Sequence, residues 1–79
     1  NKVLLAKTIT ATGATLAVDI PAEFGVTMKD TAYAINVFIE DGSAVGGITL
    51  KTTTGFTVAG TTASDVVHIW IAGQTDQQP

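Results

Sequence analysis

The chain has 79 residues, of which 46% are hydrophobic and 14% are charged, with a formal net charge of −3 and no cysteine. The chain is about half as long as a typical domain, so it can form one domain with one small core. This length excludes an enzyme with a cleft between two domains. Without cysteine, the chain forms neither a disulfide framework nor a thiolate metal site. Four lysines without arginine argue against a nucleic-acid surface, which needs clustered positive charge, so we expect no nucleic-acid partner.

We expect no membrane partner either, because no apolar run approaches the roughly 20 residues of a membrane-spanning segment. The longest run, from Val66 to Ala72, is interrupted by His68. Near the start of the chain, Lys7 ends the apolar run that begins at Val3, and this run is too short for a signal peptide.

Helix signals are nearly absent, and the first residues show the two-residue period of β-strands instead. Two strands are predicted before Pro21, with a turn over residues 11–14 between them. Lys7 breaks the alternation of the first strand, and Pro21 ends the second. The apolar positions of these two strands are Val3, Leu5, Ile9, Leu16, Val18 and Ile20.

The middle of the chain contains its least and its most readable segments. Residues 21–31 fit an irregular edge segment or a loop packed down by Phe24. The clearest strand then runs from Ala32 to Ile39. One of its faces carries Tyr33, Ile35, Val37 and Ile39, and the other carries Ala34, Asn36 and Phe38.

Turn residues separate the strands that follow. The Asp-Gly pair within residues 40–43 is typical of a hairpin turn, and the glycines at 46–47 are typical of a bulge before the strand at 48–51. Turns at 53–55 and 60–65 enclose another short strand.

The last predicted strand runs from Val66 to Gly73 and is apolar on both faces, so it is expected to be central or buried on two sides. The two faces consist of Val66, His68, Trp70 and Ala72 on one side and Val67, Ile69 and Ile71 on the other.

About six to seven short strands joined by turns predict an all-β fold, a small antiparallel β-sandwich or barrel. We assign residues 1–73 to this single domain and residues 74–79 to a polar C-terminal tail, which has no order of its own without a partner. The residues predicted to be buried are Leu16, Val18, Ile35, Val37, Phe56, Ile69 and Ile71.

The residues that could carry chemistry point to no catalytic, cofactor-binding or metal site. His68 is the only histidine, and a strand histidine hydrogen-bonded at a sheet face or an interface explains it better than a catalytic base or a metal ligand. Residues 40–43 hold too few oxygens for a calcium loop. Pairs among Asp19, Asp30 and Asp65 lack the walls of a sugar-sized cleft. We therefore predict no cofactor, no metal and no enzymatic activity.

Two further features favour contacts rather than chemistry. The rings of Tyr33, Phe38 and Trp70 belong to a core or an oligomer interface, or alternatively stack on a sugar. The threonine run at 52–54 fits a solvated strand face, or hydroxyl pairs where identical chains meet.

The segment from Gly55 to Gly73 resembles the end of many small bacteriophage virion modules, which occur as tail-fibre knobs and as capsid-bound fibre or decoration proteins. The resemblance rests on the Gly-Phe-Thr-Val strand at 55–58 and the Trp-x-Ala-Gly close at 70–73. Residues 28–33, followed by an alternating strand, fit the same pattern. It implies a β-sandwich that works on a virion as a trimer or another homo-oligomer, and it implies no catalytic residues.

The resemblance makes a virion structural protein the leading interpretation, with a capsid decoration, cement or head-fibre role. Its expected partners are itself, as a trimer, and a phage capsid or tail protein. The absence of a coiled-coil or collagen-like shaft favours a decoration protein over a fibre. The alternative is a tail-fibre knob that binds host surface glycan. A small hydrolase is the third interpretation, and the residue inventory argues against it.

Overall fold

A computed structural model describes residues 2–76 of the chain. Its elements are β1 Lys2–Thr10, β2 Thr15–Asp19, α1 Ile20–Phe24, β3 Ala34–Ile39, β4 Gly47–Thr52, β5 Gly55–Ala59 and β6 Val66–Gln74. Within the described range the strands form two three-stranded antiparallel sheets, ordered β1-β6-β3 and β2-β5-β4. This arrangement confirms the predicted all-β fold and is the sandwich rather than the barrel.

The core lies between the two sheets, where apolar side chains of alternate strand positions meet. Five of the seven predicted core residues are buried, whereas Ile35 and Val37 are only partly buried because β3 is an edge strand of its sheet. Tyr33 is also buried, at the entrance to β3. The buried apolar residues are Ala11, Leu16, Val18, Ile20, Met28, Tyr33, Ile39, Phe56, Val58, Val67, Ile69 and Ile71.

A short helix replaces the irregular segment that the sequence predicts after β2. Ile20 begins α1 instead of continuing the strand, because the Asp19 side chain accepts a hydrogen bond from the Ala22 backbone N–H and Pro21 fits the first turn. Gly25 ends the helix with φ 76°, a conformation that glycine adopts without steric cost. No helix within residues 2–76 has the length and apolar character needed to cross a membrane.

Helix α1 also explains why Lys7 interrupts the alternation of β1. Lys7 pairs with Ile69 of β6, a position on the inner face of the sheet. Its ammonium contacts the Glu23 carboxylate of α1 at 2.9 Å and the Glu23 backbone oxygen at 3.3 Å. The Lys7 ammonium thereby lies outside the core, at its edge, while the aliphatic part of the side chain stays on the sheet.

Three predicted boundaries differ from the structure. The third strand begins at Ala34, two residues later than predicted, because Tyr33 turns into the core before the ladder starts. The turn at 40–43 joins strands of different sheets and so is not a hairpin. The irregularity in β4 lies between Thr49 and Thr52, later than the predicted glycine bulge.

The last strand continues through Gln74, one residue beyond its predicted end. Thr75 is buried and pairs with Met28 in an isolated bridge, and the Asp76 N–H donates to the Thr27 carbonyl at 2.9 Å. The first residues of the predicted tail are therefore held by the segment before β3. Residues 77–79 of that tail lie outside the described residues.

Candidate functional site

The outer face of the β1-β6-β3 sheet carries apolar side chains although it points away from the core. Its central strand β6 buries Val67, Ile69 and Ile71, so the alternate positions of β6 point outward. Lys2 is charged at one end of this face and Glu40 approaches the other end, but the outward residues between them include no Asp, Glu, Lys or Arg. We call this uncharged central part the aromatic face, and it consists of Leu4, Ala6, Thr8, Ala34, Asn36, Phe38, His68, Trp70 and Ala72.

Three rings form the centre of the aromatic face. Phe38 lies opposite His68 in the β3–β6 register, and Trp70 is two residues further along β6. The Phe38 ring centroid lies 4.8 Å from that of His68 and 5.3 Å from that of Trp70, with the planes tilted by 22° and 25°. Stacked cross-strand rings of this kind stabilise a sheet face. Phe38 nevertheless remains 45% exposed.

Hydrogen bonds hold the His68 ring at both of its nitrogens. Thr8, its partner on β1, places Oγ1 3.1 Å from Nδ1, and Glu40 places Oε1 3.0 Å from Nε2. Glu40 reaches this position because it directly follows β3, where Phe38 lies beside His68. His68 is thus a strand histidine hydrogen-bonded at a sheet face, as the sequence predicts.

The series Thr8, His68 and Glu40 contains a hydroxyl, an imidazole and a carboxylate, the group types of a nucleophile with its base and acid. Acyl transfer also requires donors for the developing oxyanion and a pocket for the substrate. Thr8 lies instead on an open sheet face, and the groove near Lys2 and Gln74 is at the end of the sandwich. The two hydrogen bonds fix the orientation of the His68 ring.

Tyr33 does not join the other rings, although the sequence considers all three together. It lies in the core, where its hydroxyl donates to the carbonyl oxygens of Thr52 at 2.5 Å and Gly55 at 3.2 Å. The Lys51 ammonium lies 4.6 Å from its ring centroid. Burial raises the pKa of the Tyr33 hydroxyl above its usual value of 10.0.

The candidate acids serve local backbone structure. Asp19 caps α1, and Asp30 accepts from the Ala32 N–H at 2.9 Å. Asp41 accepts from the Ser43 N–H at 2.9 Å. Hydrogen bonds from the Ser43 side chain and then from its backbone lower the pKa of the Asp41 carboxyl. Asp65 accepts from the Thr62 N–H at 2.8 Å. Among residues 2–76, no three histidine, aspartate or glutamate side chains are grouped closely enough to hold a metal ion.

Strand alternation predicts which side chains of β3 and β6 share a face, and the structure follows it. The sequence contains no signal for the roles of Thr8 and Glu40. They lie 60 and 28 residues before His68 along the chain, and only the pairing of the strands brings them to it. No protein-family model matches the chain, and comparisons with curated proteins and with solved structures give no significant match.

Proposed function

We propose that the chain is a non-enzymatic structural protein of a bacteriophage virion, in the form of a homo-oligomeric capsid decoration, cement or head-fibre protein. The aromatic face is the observation that supports this proposal. Cores of protein interfaces are depleted in charge and enriched in aromatic residues, and this face has both properties. The assignment to a virion and the trimeric state rest on the resemblance of residues 55–73 to phage modules.

The mechanism is burial of the aromatic face between copies and against the shell. An 8.1 kDa chain has little interior, so an apolar face that its own fold does not cover is most simply covered by association. The Trp70 and His68 rings suit such a contact because their ring nitrogens can hydrogen-bond to water before association.

The absence of catalysis in this proposal rests on where the reactive groups lie. Thr8, His68 and Glu40 are hydrogen-bonded in series on an open sheet face, away from the groove at the end of the sandwich. Asp19, Asp30, Asp41 and Asp65 accept backbone N–H groups in turns or at the helix cap and do not join that series. A hydrolase needs its nucleophile and base at a substrate pocket that has donors for the oxyanion.

Light scattering at low micromolar concentration tests the association. We expect a particle of about three times the 8.1 kDa chain mass. Phe38→Lys, which places a charge in the aromatic face, should give a folded monomer. Thr49→Lys is the matched control, since Thr49 is exposed on the other sheet and should leave the oligomer intact. A folded monomeric wild type of 8.1 kDa contradicts the proposal.

Gold-labelled antibodies against the chain, applied to purified particles of the source phage, test the location. Label over the head supports the decoration or head-fibre role, and label at the tail tip supports the alternative below. Unlabelled particles contradict both.

The alternative, a tail-fibre knob that binds host surface glycan, is favoured by one feature of the same face. The rings of Phe38, His68 and Trp70 are within 25° of parallel, and Asn36 lies opposite Trp70 with its polar side chain on the same face. Trp70 is the only tryptophan, so its fluorescence reports directly on saccharide titrations. A saturable change that Phe38→Ala abolishes supports glycan binding, and an unchanged spectrum across host-surface saccharides contradicts it.

A further inference from the structure

The two ends of the sandwich differ in charge. They are separated by the length of β6, roughly 27 Å. At one end Lys2 pairs with Gln74, and the Lys29 N–H donates to the Gln74 carbonyl at 2.8 Å. At the other end the Glu40 N–H donates to the Val66 carbonyl at 2.9 Å. We call these the lysine end and the acidic end.

The lysine end contains a shallow open groove of about 400 Å³. Lys2 and Lys29 line it together with Tyr33 and Gln74, and its one acid, Asp30, has an oxygen bonded to the Ala32 N–H. On the other side of Tyr33, the Lys51 ammonium donates to the Tyr33 carbonyl at 2.6 Å. Three of the four lysines therefore lie at this end.

The fourth lysine, Lys7, is paired with Glu23 and contributes to neither end. Asp19, Asp30 and Asp76 balance the three lysines over the lysine end as a whole, but only Asp30 lines the groove. The groove is therefore a local positive site.

Among the residues that the structure describes, the acidic end has no lysine that balances its negative charges. It carries Glu40, Asp41 and Asp65, and no lysine of the described chain lies there. The Glu40 side chain is 64% exposed. Hydrogen bonds from Ser43 lower the pKa of Asp41, so its carboxylate stays charged in mildly acidic solution.

We propose that the lysine-lined groove of one copy receives the acidic turn 40–43 of a second copy, so that copies meet head to tail. This rests on the self-association proposed above and defines its geometry. A three-fold ring needs two different complementary surfaces on each copy, since only a two-fold axis brings identical patches together. The groove and the acidic end are such a pair, whereas a side-by-side parallel ring gathers three acidic ends and repels.

The size of the ends sets the expected strength of this contact. The molecule measures 38 × 19 × 18 Å, so each end face is smaller than the about 800 Å² that a partner buries in a stable complex. The ionic contact therefore adds orientation and salt dependence to an association whose main area is the aromatic face.

Sedimentation velocity across a range of sodium chloride concentrations tests the proposal. Wild-type association should weaken with salt. Lys2→Gln combined with Lys29→Gln should weaken association at low salt by about three- to tenfold, the range that two exposed ion pairs supply, and should flatten the salt dependence. The charge-matched control, Ala17→Glu with Thr49→Glu, changes exposed residues in the middle of the other sheet and should behave as wild type.

A charge swap gives the decisive comparison. Lys29→Glu and Asp41→Lys should each weaken association, and the double variant should restore it. Singles that match wild type, or a double variant as weak as the singles, overturn the head-to-tail contact. If oligomers then persist and still depend on Phe38, only this inference fails. If the wild type is monomeric at every salt concentration, the self-association proposal fails with it.

Discussion

The two faces of β6 have similar apolar character and opposite surroundings. On the inner face, Val67, Ile69 and Ile71 are at most 1% exposed because the second sheet covers them. On the outer face, His68 and Trp70 are only half-buried, by side chains of the same sheet such as Phe38. Hydrophobic composition therefore does not show whether a face is covered by its own chain. The layer packed on it decides that.

The chemistry of the two faces reflects this difference. The inner face consists of branched aliphatic side chains, which fill a closed core without polar atoms. The outer face carries Phe38, Trp70 with its indole N–H, and a histidine held by Thr8 and Glu40. Such groups suit a surface that is wet before association and buried afterwards.

The largest effect is expected on the inner face. Ile69→Ala should cost about 2–5 kcal/mol of unfolding free energy, because Ile69 is 1% exposed and its removal leaves a cavity. Urea denaturation measures the loss. A cost below about 1 kcal/mol would mean that the inner face is less closely packed than the structure indicates.

The next largest effect concerns Tyr33, the one inner ring with a polar contact. Tyr33→Phe should cost about 1–2 kcal/mol at neutral pH, because the Thr52 and Gly55 carbonyls lose their donor. Burial raises the pKa of Tyr33 in the folded state, so this stabilisation is complete below pH 10.0 and is lost as the pH rises through the folded-state pKa.

Urea titrations between pH 8 and pH 12 separate Tyr33 from the lysines, which also titrate in that range. Tyr33 is the only tyrosine, so Tyr33→Phe should lose the part of the alkaline slope that belongs to it. An identical slope in both proteins would contradict the assignment.

A smaller effect on stability, with a different signature, is expected on the outer face. Phe38→Thr should cost about 1 kcal/mol, since the ring is 45% exposed and loses two stacking partners. Because association adds to apparent stability, the Tm difference from wild type should grow with protein concentration. Ile69→Ala is the comparison, and its Tm deficit should depend far less on concentration.

A still smaller effect of opposite sign is expected at Leu50, outside both faces of β6. Leu50 is 78% exposed and has φ 53°, a left-handed conformation that leucine tolerates poorly. Leu50→Gly should therefore gain about 0.5–1 kcal/mol. Leu4→Gly is the matched control, because Leu4 is 73% exposed within regular β1 and should lose about the same amount. Equal losses at both sites would contradict the strain at Leu50.

The smallest expected effect is zero. Chelator treatment should leave the Tm unchanged, because Glu40, Asp41 and His68 are bonded to other groups of the protein. A chelator-sensitive melt would contradict this and would direct attention to Glu40, Asp41 and His68.

Strand alternation made much of the fold predictable, because the two-residue period is a local property of the sequence. The faces of β3 and β6 follow from it, including the outward positions of Phe38, His68 and Trp70. The helix at Ile20 was not predicted, since a five-residue helix with one cap and one proline is too short to show a helical period in the sequence.

The sequence by itself determined the strands, their buried sides and the surplus of apolar surface on the last strand. Only the tertiary structure decided that β6 lies between β1 and β3, which brings Thr8, Phe38 and Glu40 around His68 and separates Tyr33 from the other rings. It also decided that Lys2, Lys29 and Lys51 lie at one end of the sandwich. Pairing and register between distant strands depend on how all the apolar faces pack at once, and no local pattern specifies that.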